Sequence, residues 1–395
     1  MMKKVLLFTL LCFSVVAFAQ DLTVRSSTFS IDLKNNSGVT ADIPTIEWVK
    51  PIPDINFSQN GRFSLTAIVK AGDPLASVTI NIKDLKSGES KGKQKLVPSE
   101  SEQYQFQVDK NLYLENGEVV IEVVAENKTG IKTSSSKNVY VGDEAIANAS
   151  RLERTDYALL IATDEYENWS DLVNPVYDSR TIMETLKEDF GFEVEMMENP
   201  TQTEILKKLR EYAQKQYKPM DQLFVFFAGH GTYDQAFGEG FVVTTESLVN
   251  DEGKTSYLSH NRLRSIINNV PCDHIFLTMD VCFGGTFDEA LASARGMDDE
   301  VYREKSRSEF ISTKLLSKTR KYLTSGVKTY VSDGIPGQHS PFAAKFIEAL
   351  ETKGGSDGVL TITELFSYVE KLKIQPRLGG FGDNAPNSDF LFIAN

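Results

Sequence analysis

The sequence predicts two folded regions: an all-β N-terminal region, then a C-terminal α/β region whose mainly parallel sheet is flanked by helices on both faces. Alternation of apolar and polar residues dominates positions 21 to about 145, with almost no helical period. From about 155 onward, apolar strand-like runs alternate with segments of helical spacing. A length of 395 residues suits two domains, each large enough to hold a core.

Residues 1–19 have the pattern of a secretory signal peptide. Two lysines precede an apolar core, and the run AFA at 17–19 provides a small-x-small cleavage site. No later stretch reaches the roughly 18 apolar residues that a membrane-spanning helix needs. We therefore expect a secreted or periplasmic chain with no membrane span. Its formal net charge of -13 argues against nucleic acid as a partner.

Residues 20–145 predict several short strands joined by turns. Alternation is clearest at 63–69, 78–82, 104–108 and 119–125, with turn dipeptides such as Asn60-Gly61 between such runs. Strands of this length and spacing form a β-sandwich, and the pattern resembles an immunoglobulin-like module without its cysteine pair. This region carries no cluster of chemically active side chains, so we expect it to contact the second domain or a surface partner.

Strands and helices alternate after a polar, alanine-rich linker at 146–155. Strands are predicted at 157–162, 192–197, 223–228, 275–279, 321–326 and near the C-terminus, where the last strand closes the sheet. Helices are predicted at 178–190, 201–217, 259–268 and roughly 305–319. This order favours a parallel sheet, and ligands of such sheets bind beyond the carboxyl ends of the strands.

Two glycine-rich motifs follow the most apolar strands of this region. FAGHG at 227–231 and MDVCFGG at 279–285 bring His230 and Cys282 to the same edge of the sheet. A thiol with an imidazole in reach becomes a nucleophile with its own general acid. Cys272 lies about 30 Å from Cys282 along an extended strand, too far for a disulfide, and is interpreted as a buried structural residue.

These motifs resemble the caspase-like cysteine peptidase clan, especially its metacaspase and bacterial members. The shared pattern is xx-Cys-x-Gly with a histidine about fifty residues upstream. The resemblance implies a caspase-like domain at 156–395 and a cysteine endopeptidase; we expect no cofactor and leave calcium dependence open. It implies Cys282 as nucleophile, His230 as general acid and base, and the backbone N–H groups of Gly231 and Cys282 as the oxyanion hole.

Two carboxylates define the expected specificity. Asp280 stands two residues before the cysteine, and Asp178 falls where metacaspases carry a pocket acid, so the resemblance implies protein or peptide substrates cleaved after Arg or Lys. Tyr177 replaces the asparagine usual in that family. Two alternatives stay open: Asp178 as an acid favoured by a helix macrodipole, and Asp280 as the cap of a neighbouring turn.

The other candidate residues have simpler interpretations. His339 precedes Ser340-Pro341, which predict an N-cap and a first-turn proline, and the alternative is a place for His339 at the edge of the active site. Thr361 with Glu364 predicts a capping box, no sequence spacing supports a metal such as zinc, and no clear site supports a calcium requirement.

The basic connection at 292–320 is either a self-processing segment or a solvated loop and helix. The alternative to a peptidase is a non-catalytic adhesion or scaffold protein that uses both domains for binding. An intact His230 and Cys282 pair favours the peptidase.

Overall fold

The computed structural model describes residues 28–30, 43–281, 305–326, 335, 337–386 and 388–395. The predicted signal peptide at 1–19 and Cys282 lie outside these ranges. In chain order, the strands of the N-terminal region are β1 (Thr28–Ser30), β2 (Thr45–Lys50), β3 (Ile55–Ser58), β4 (Arg62–Lys70), β5 (Leu75–Asp84), β6 (Ser90–Leu96), β7 (Gln105–Tyr113), β8 (Gly117–Asn127) and β9 (Lys132–Val141).

The N-terminal strands form two sheets that face each other across an apolar core. One sheet has the order β1-β9-β8-β5-β6 with β3 beside β9, and the other has the order β2-β4-β7. Every second residue of β4 points inward, so that Leu65, Ala67 and Val69 are buried while their neighbours are more exposed. They pack against the inward-facing residues of β5 and β8, such as Ile80 and Ile121. The alternation in the sequence therefore corresponds to one buried face on each sheet.

The second region alternates strands and helices. Its elements are α1 (Asp143–Glu153), β10 (Asp156–Ala162), α2 (Pro175–Phe190), β11 (Glu193–Glu198), α3 (Gln202–Gln214), β12 (Gln222–Gly229), β13 (Gly231–Asp234), β14 (Glu239–Val242), β15 (Leu258–Ser259), α4 (His260–Asn268), β16 (His274–Val281), α5 (Arg307–Leu315), β17 (Thr319–Thr324), α6 (Pro341–Glu351), β18 (Val359–Thr361), α7 (Ile362–Val369), β19 (Arg377–Gly380) and β20 (Leu391–Ile393).

The ends of these helices follow from local sequence. Helix α2 begins with Pro175 in its first turn and ends at Gly191, which adopts the left-handed conformation. Helix α3 begins with a capping box in which Thr201 and Glu204 satisfy each other's backbone N–H groups. Both helices therefore have sequence-encoded ends, close to where the residue pattern predicts them.

The central sheet has the strand order β11-β10-β12-β16-β17-β19. Neighbouring strands are parallel except for β19, which runs antiparallel to β17 at the edge. Helices α2, α6 and α7 cover one face, and α3 and α4 cover the other. In β12, Phe224 and Phe226 belong to the first core and Val225 and Phe227 to the second, so the strand is apolar throughout. Helices on both faces and a mainly parallel sheet agree with the predicted α/β class.

The C-terminal strand does not close the central sheet, so this part of the prediction is wrong. β20 pairs with β18 in a separate two-stranded sheet, and β19 takes the edge of the central sheet. The backbone of Leu391 exchanges hydrogen bonds with the side-chain amide of Gln222, at 2.8 and 3.0 Å. Phe390 and Phe392 are buried against the face of the sheet. Apolar burial on that face, not pairing along an edge, fixes this segment.

The β-rich region packs directly against the α/β region. The expected linker at 146–155 lies largely within α1, whose Ile146 and Ala149 are buried together with Tyr140 of β9 and Ile311 of α5. The hydroxyl of Ser312 on α5 donates to Asp143 at 2.5 Å, where α1 begins. Within the described ranges, no helix is both long and apolar enough to cross a membrane.

Candidate active site

The carboxyl ends of β12 and β16 bring the two predicted motifs side by side. These neighbouring strands are parallel, with Ala228 opposite Asp280 and Gly229 opposite Val281. His230 follows Gly229 directly, and Cys282 follows Val281 directly in the sequence. Cys282 itself lies outside the described residues.

The imidazole of His230 is held by a backbone carbonyl and two aromatic rings. Its Nε2 lies 2.8 Å from the carbonyl oxygen of Ser170, and its ring centroid lies 4.8 Å from that of Tyr166 and 5.5 Å from that of Trp169. A carbonyl oxygen only accepts hydrogen bonds, so Nε2 must carry a proton. In a neutral ring, Nδ1 is then the basic nitrogen.

The backbone of His230 is fixed on both sides of its Cα. Its N–H donates to the hydroxyl of Tyr166 at 2.8 Å, and that hydroxyl donates to the carbonyl of Thr163 at 2.9 Å. Its carbonyl accepts from the N–H of Val243 at 3.0 Å. These bonds hold the histidine on a rigid scaffold at the end of β12.

Glycine is required at the residue before this histidine. Gly229 has φ of 147°, a region that residues with a Cβ rarely adopt. A Cβ added there would lie 2.7 Å from the hydroxyl of Tyr166 and 3.0 Å from the carbonyl of Thr163. Gly231, the expected oxyanion donor, is buried at the start of β13 and pairs with Val242.

Asp178 and Asp280 converge on one residue, Ser340. The backbone N–H of Ser340 donates to Oδ2 of Asp178 at 3.2 Å, and its hydroxyl donates to Oδ2 of Asp280 at 2.8 Å. Asp178 lies in the first turn of α2, whereas Asp280 lies near the end of β16. The structure therefore brings together the two carboxylates singled out in the sequence, through a residue that the sequence interpretation treated as a helix cap.

His339 is the second contact of Asp178. Its Nδ1 lies 2.6 Å from Oδ1 of Asp178, and its ring stacks on Tyr177 with centroids 4.6 Å apart and planes inclined by 13°. Burial raises the pKa of the Asp178 carboxyl, and the hydrogen bonds from His339 and Ser340 oppose that rise. The histidine was a lesser candidate because sequence alone shows only a residue before an N-cap.

The predicted caps of α6 and α7 are confirmed. The Ser340 hydroxyl accepts from the N–H of Ala343, with Pro341 in the first turn, and Thr361 forms a capping box with Glu364. Ser340 thus caps a helix and contacts the acidic pair at the same time. A Ser-Pro pair at a helix start does not by itself indicate the second role.

Cys272 and the two histidines outside the site are structural within the described residues. Cys272 is fully buried and donates to the carbonyl of Asp221 at 3.2 Å, and burial raises the pKa of its thiol. His260 and His274 are buried, and burial lowers their pKa values to about 3 and about 4. In the part of the chain that the structure describes, no three His, Cys, Asp or Glu side chains are arranged to hold a metal ion.

Two curated proteins are similar to this chain over a limited range. Caspase-1 of Mus musculus is 35% identical over 86 residues, which cover 22% of this chain and 21% of the mouse protein. Caspase-1 of Rattus norvegicus is 34% identical over 86 residues, with the same coverage. The chain thus spans about a fifth of the length of these curated relatives. A crystal structure of caspase-1 from Spodoptera frugiperda aligns with 58% of this chain and 87% of that chain, at 16% identity and a TM-score of 0.41.

The family is shown by a longer match. A sequence model of the caspase domain matches residues 155–372, from the residue before β10 to just beyond α7. This range includes the carboxyl ends of β12 and β16 and both members of the acidic pair. Because the match covers more than half of the chain, the protein belongs to the caspase domain family of cysteine peptidases.

Proposed function

We propose that this chain is an exported cysteine endopeptidase that uses His230 and Cys282 and cleaves after Arg or Lys. The pairing of Gly229 with Val281 carries the proposal, because these residues immediately precede the histidine and the cysteine on neighbouring parallel strands. Consecutive Cα atoms are about 3.8 Å apart, so we expect the imidazole and the thiol, each one residue beyond that pair, to come within reach of each other.

The tautomer of His230 assigns the direction of proton transfer. Because Nε2 donates to Ser170, Nδ1 is the atom that takes the proton of the Cys282 thiol. The thiolate attacks the substrate carbonyl carbon, and backbone N–H groups of Gly231 and Cys282 stabilise the oxyanion. Nδ1–H then protonates the leaving amine, and His230 activates the water that hydrolyses the thioester. The Ser170 carbonyl keeps the ring oriented and stabilises the imidazolium.

Asp178 and Asp280 support the preference for a basic side chain. They lie at the same sheet edge as His230 and are linked through Ser340. Two carboxylates beside a pocket favour a guanidinium or ammonium group and disfavour a substrate carboxylate.

Self-processing is proposed in the part of the 292–320 connection that precedes α5. Lys305 is exposed, whereas Arg320 on β17 is 1% exposed and donates to the backbone carbonyls of Asp273 and Val270. A peptidase cannot reach Arg320 without unfolding this part of the sheet, because β17 is paired on both sides, with β16 and β19. Incubation of the wild type beside Cys282→Ala, followed by mass spectrometry, should show thiol-dependent cuts at or before Lys305; identical fragments from both proteins would exclude self-processing.

The proposal includes the N-terminal region as well. Residues 1–19 act as a signal peptide that exports the chain, and the two-sheet region is an immunoglobulin-like domain packed against the peptidase through α1. Fractionation of cells that make the full chain tests export, since a chain retained in the cytoplasm with its first nineteen residues intact contradicts it.

Fluorogenic peptides that differ only in the residue before the scissile bond test the activity. The wild type should hydrolyse peptides ending in Arg or Lys and not Asp, whereas Cys282→Ala and His230→Ala should lose at least a hundredfold in kcat/KM. Cys272→Ala is the matched control, because it removes the buried thiol and leaves the site intact. Absence of thiol-dependent turnover on every peptide would leave the non-catalytic adhesion or scaffold alternative.

A further inference from the structure

The two carboxylates of the acidic pair have different access to a ligand. Both oxygens of Asp178 are engaged, one by His339 and the other by the N–H of Ser340, and its side chain is 2% exposed. Asp280 is partly exposed near the end of β16, one residue before Val281, which forms the last pair between β12 and β16. A substrate cation could reach the Asp178 oxygens only by displacing His339.

His339 lies over the Asp178 carboxylate. The N–H of Ser340 donates to one carboxylate oxygen and Nδ1 of His339 donates to the other, so that Nδ1 carries a proton. The His339 side chain is 22% exposed and stacks on Tyr177, which is 45% exposed. Because the two rings are stacked, each covers one face of the other, and an outer face of the pair is the kind of aromatic face on which a guanidinium group stacks.

Ser340 connects this surface to Asp280. Its hydroxyl donates to Asp280 and accepts from the N–H of Ala343, which fixes the start of α6 against β16. A carboxylate has about four acceptor positions, and the Ser340 hydroxyl occupies one of those of Asp280. Ser340 therefore holds the orientation of the carboxylate without neutralising its charge.

We propose that His339 is a specificity-determining residue of this pocket and that Asp178 acts on the substrate only through it. Asp178 orients the His339 ring, the stacked rings of His339 and Tyr177 form one wall, and Asp280 contacts the substrate cation directly. This inference rests on the proposed preference for Arg or Lys. It gives the two carboxylates different roles: Asp280 binds the substrate cation, and Asp178 orients His339.

Binding affinities measured without turnover test whether Asp178 and Asp280 have these different roles. In the Cys282→Ala background, calorimetry gives the Kd of a peptide ending in Arg for four further variants. Asp178→Asn and His339→Ala should each weaken binding about tenfold, and their combination should weaken it no more than either alone, because both remove the same ring orientation. Asp280→Asn should weaken binding more, about a hundredfold, because it removes the charge that contacts the cation.

A conservative replacement of His339 shows whether its ring forms a wall of the substrate pocket or only supports the fold. His339→Asn places an amide donor where Nδ1 stands, so Asp178 keeps its partner and the fold is maintained, but the stacking surface is lost. With Cys282 restored, this variant should raise KM for the Arg peptide about tenfold and leave kcat within about threefold. A purely structural role for His339 predicts wild-type KM instead.

The outcomes of these experiments are distinguishable. Unchanged Kd and KM in the His339 variants, or losses in Asp178→Asn and His339→Ala that multiply, overturn the inference alone. A Cys282→Ala protein that binds Arg and Asp peptides equally overturns the proposed specificity and the inference together. Retained Arg preference in binding with no turnover in the wild type overturns the proposed catalysis and leaves the pocket assignment standing.

Discussion

The hydroxyl of Tyr166 accepts a hydrogen bond from the backbone N–H of His230 at 2.8 Å and donates its own proton to the carbonyl of Thr163. It is thus a positioning residue for the proposed catalytic histidine. Tyr166→Phe removes both bonds and should lower kcat/KM on an Arg peptide about tenfold, with a stability loss of about 1–2 kcal/mol.

Tyr217→Phe is the matched control for that substitution. The hydroxyl of Tyr217 donates to the carbonyl of Tyr212 at 3.1 Å. Tyr217 precedes the amino end of β12, away from the site. It should lose comparable stability and keep wild-type kcat/KM. Equal kinetic effects from both variants would show that Tyr166 contributes to the fold alone.

Gly229 permits the close approach of Tyr166 to the strand end. Gly229→Ala forces a Cβ to 2.7 Å from the Tyr166 hydroxyl, at a φ of 147°. We expect a stability loss of about 2–4 kcal/mol and loss of activity, measured by urea denaturation and peptide hydrolysis. Gly117→Ala separates the two causes, since Gly117 has a similar φ of 133° but only the Nζ of Lys91 lies within 4 Å of an added Cβ, at 3.8 Å. A loss at Gly229 no greater than that at Gly117 would contradict the steric explanation.

The thiols should differ sharply in reactivity. Cys272 is fully buried, and burial raises its pKa, so the thiolate that reacts with alkylating agents is scarce and inaccessible. Native protein lacking residues 1–19 should take up one carboxamidomethyl group, at Cys282, whereas urea-unfolded protein should take up two. Peptide mass spectrometry identifies the position, and labelling of native Cys272 at the rate of Cys282 would contradict this prediction.

The strands that are buried on both faces of the central sheet could be predicted from the sequence. The run LFVFFA is apolar at every position, and HIFLTM is apolar except at His274 and Thr278, because alternate side chains enter different cores; no helix period fits either run. Their parallel pairing followed from the alternation with helices. The position of β20 did not follow, because an apolar run does not show whether its partner is a sheet edge or a sheet face.

The contact of His339 with Asp178 could not be predicted from the sequence, for a related reason. The two residues are 161 positions apart in the sequence, and only the packing of α6 beside α2 brings them together. The Ser340-Pro341 pair predicts where α6 begins, but not what lies in front of its first turn. Local rules give the ends of elements, whereas contacts between ends depend on the whole arrangement.

Two buried histidines predict acid sensitivity of the fold. Burial lowers the pKa of His260 to about 3 and that of His274 to about 4, whereas an unfolded histidine titrates near 6.5. A depressed pKa in the folded state means that the unfolded chain binds protons first, so this stability is present above pH 6.5 and is lost as pH falls towards 4 and then 3. At pH 5, each histidine should cost about 2 kcal/mol relative to pH 7.

Comparison of variants isolates the contribution of His260. Asp156 works in the opposite direction, because burial raises its pKa and so favours the folded state at low pH, and the wild-type slope therefore mixes both effects. His260→Gln removes one titrating group and keeps a polar side chain of similar length. Urea denaturation at pH 7 and pH 5 should show a difference in unfolding free energy about 2 kcal/mol smaller in the variant than in the wild type. Equal differences in both proteins would mean that His260 takes up its proton in the folded state as readily as in the unfolded chain.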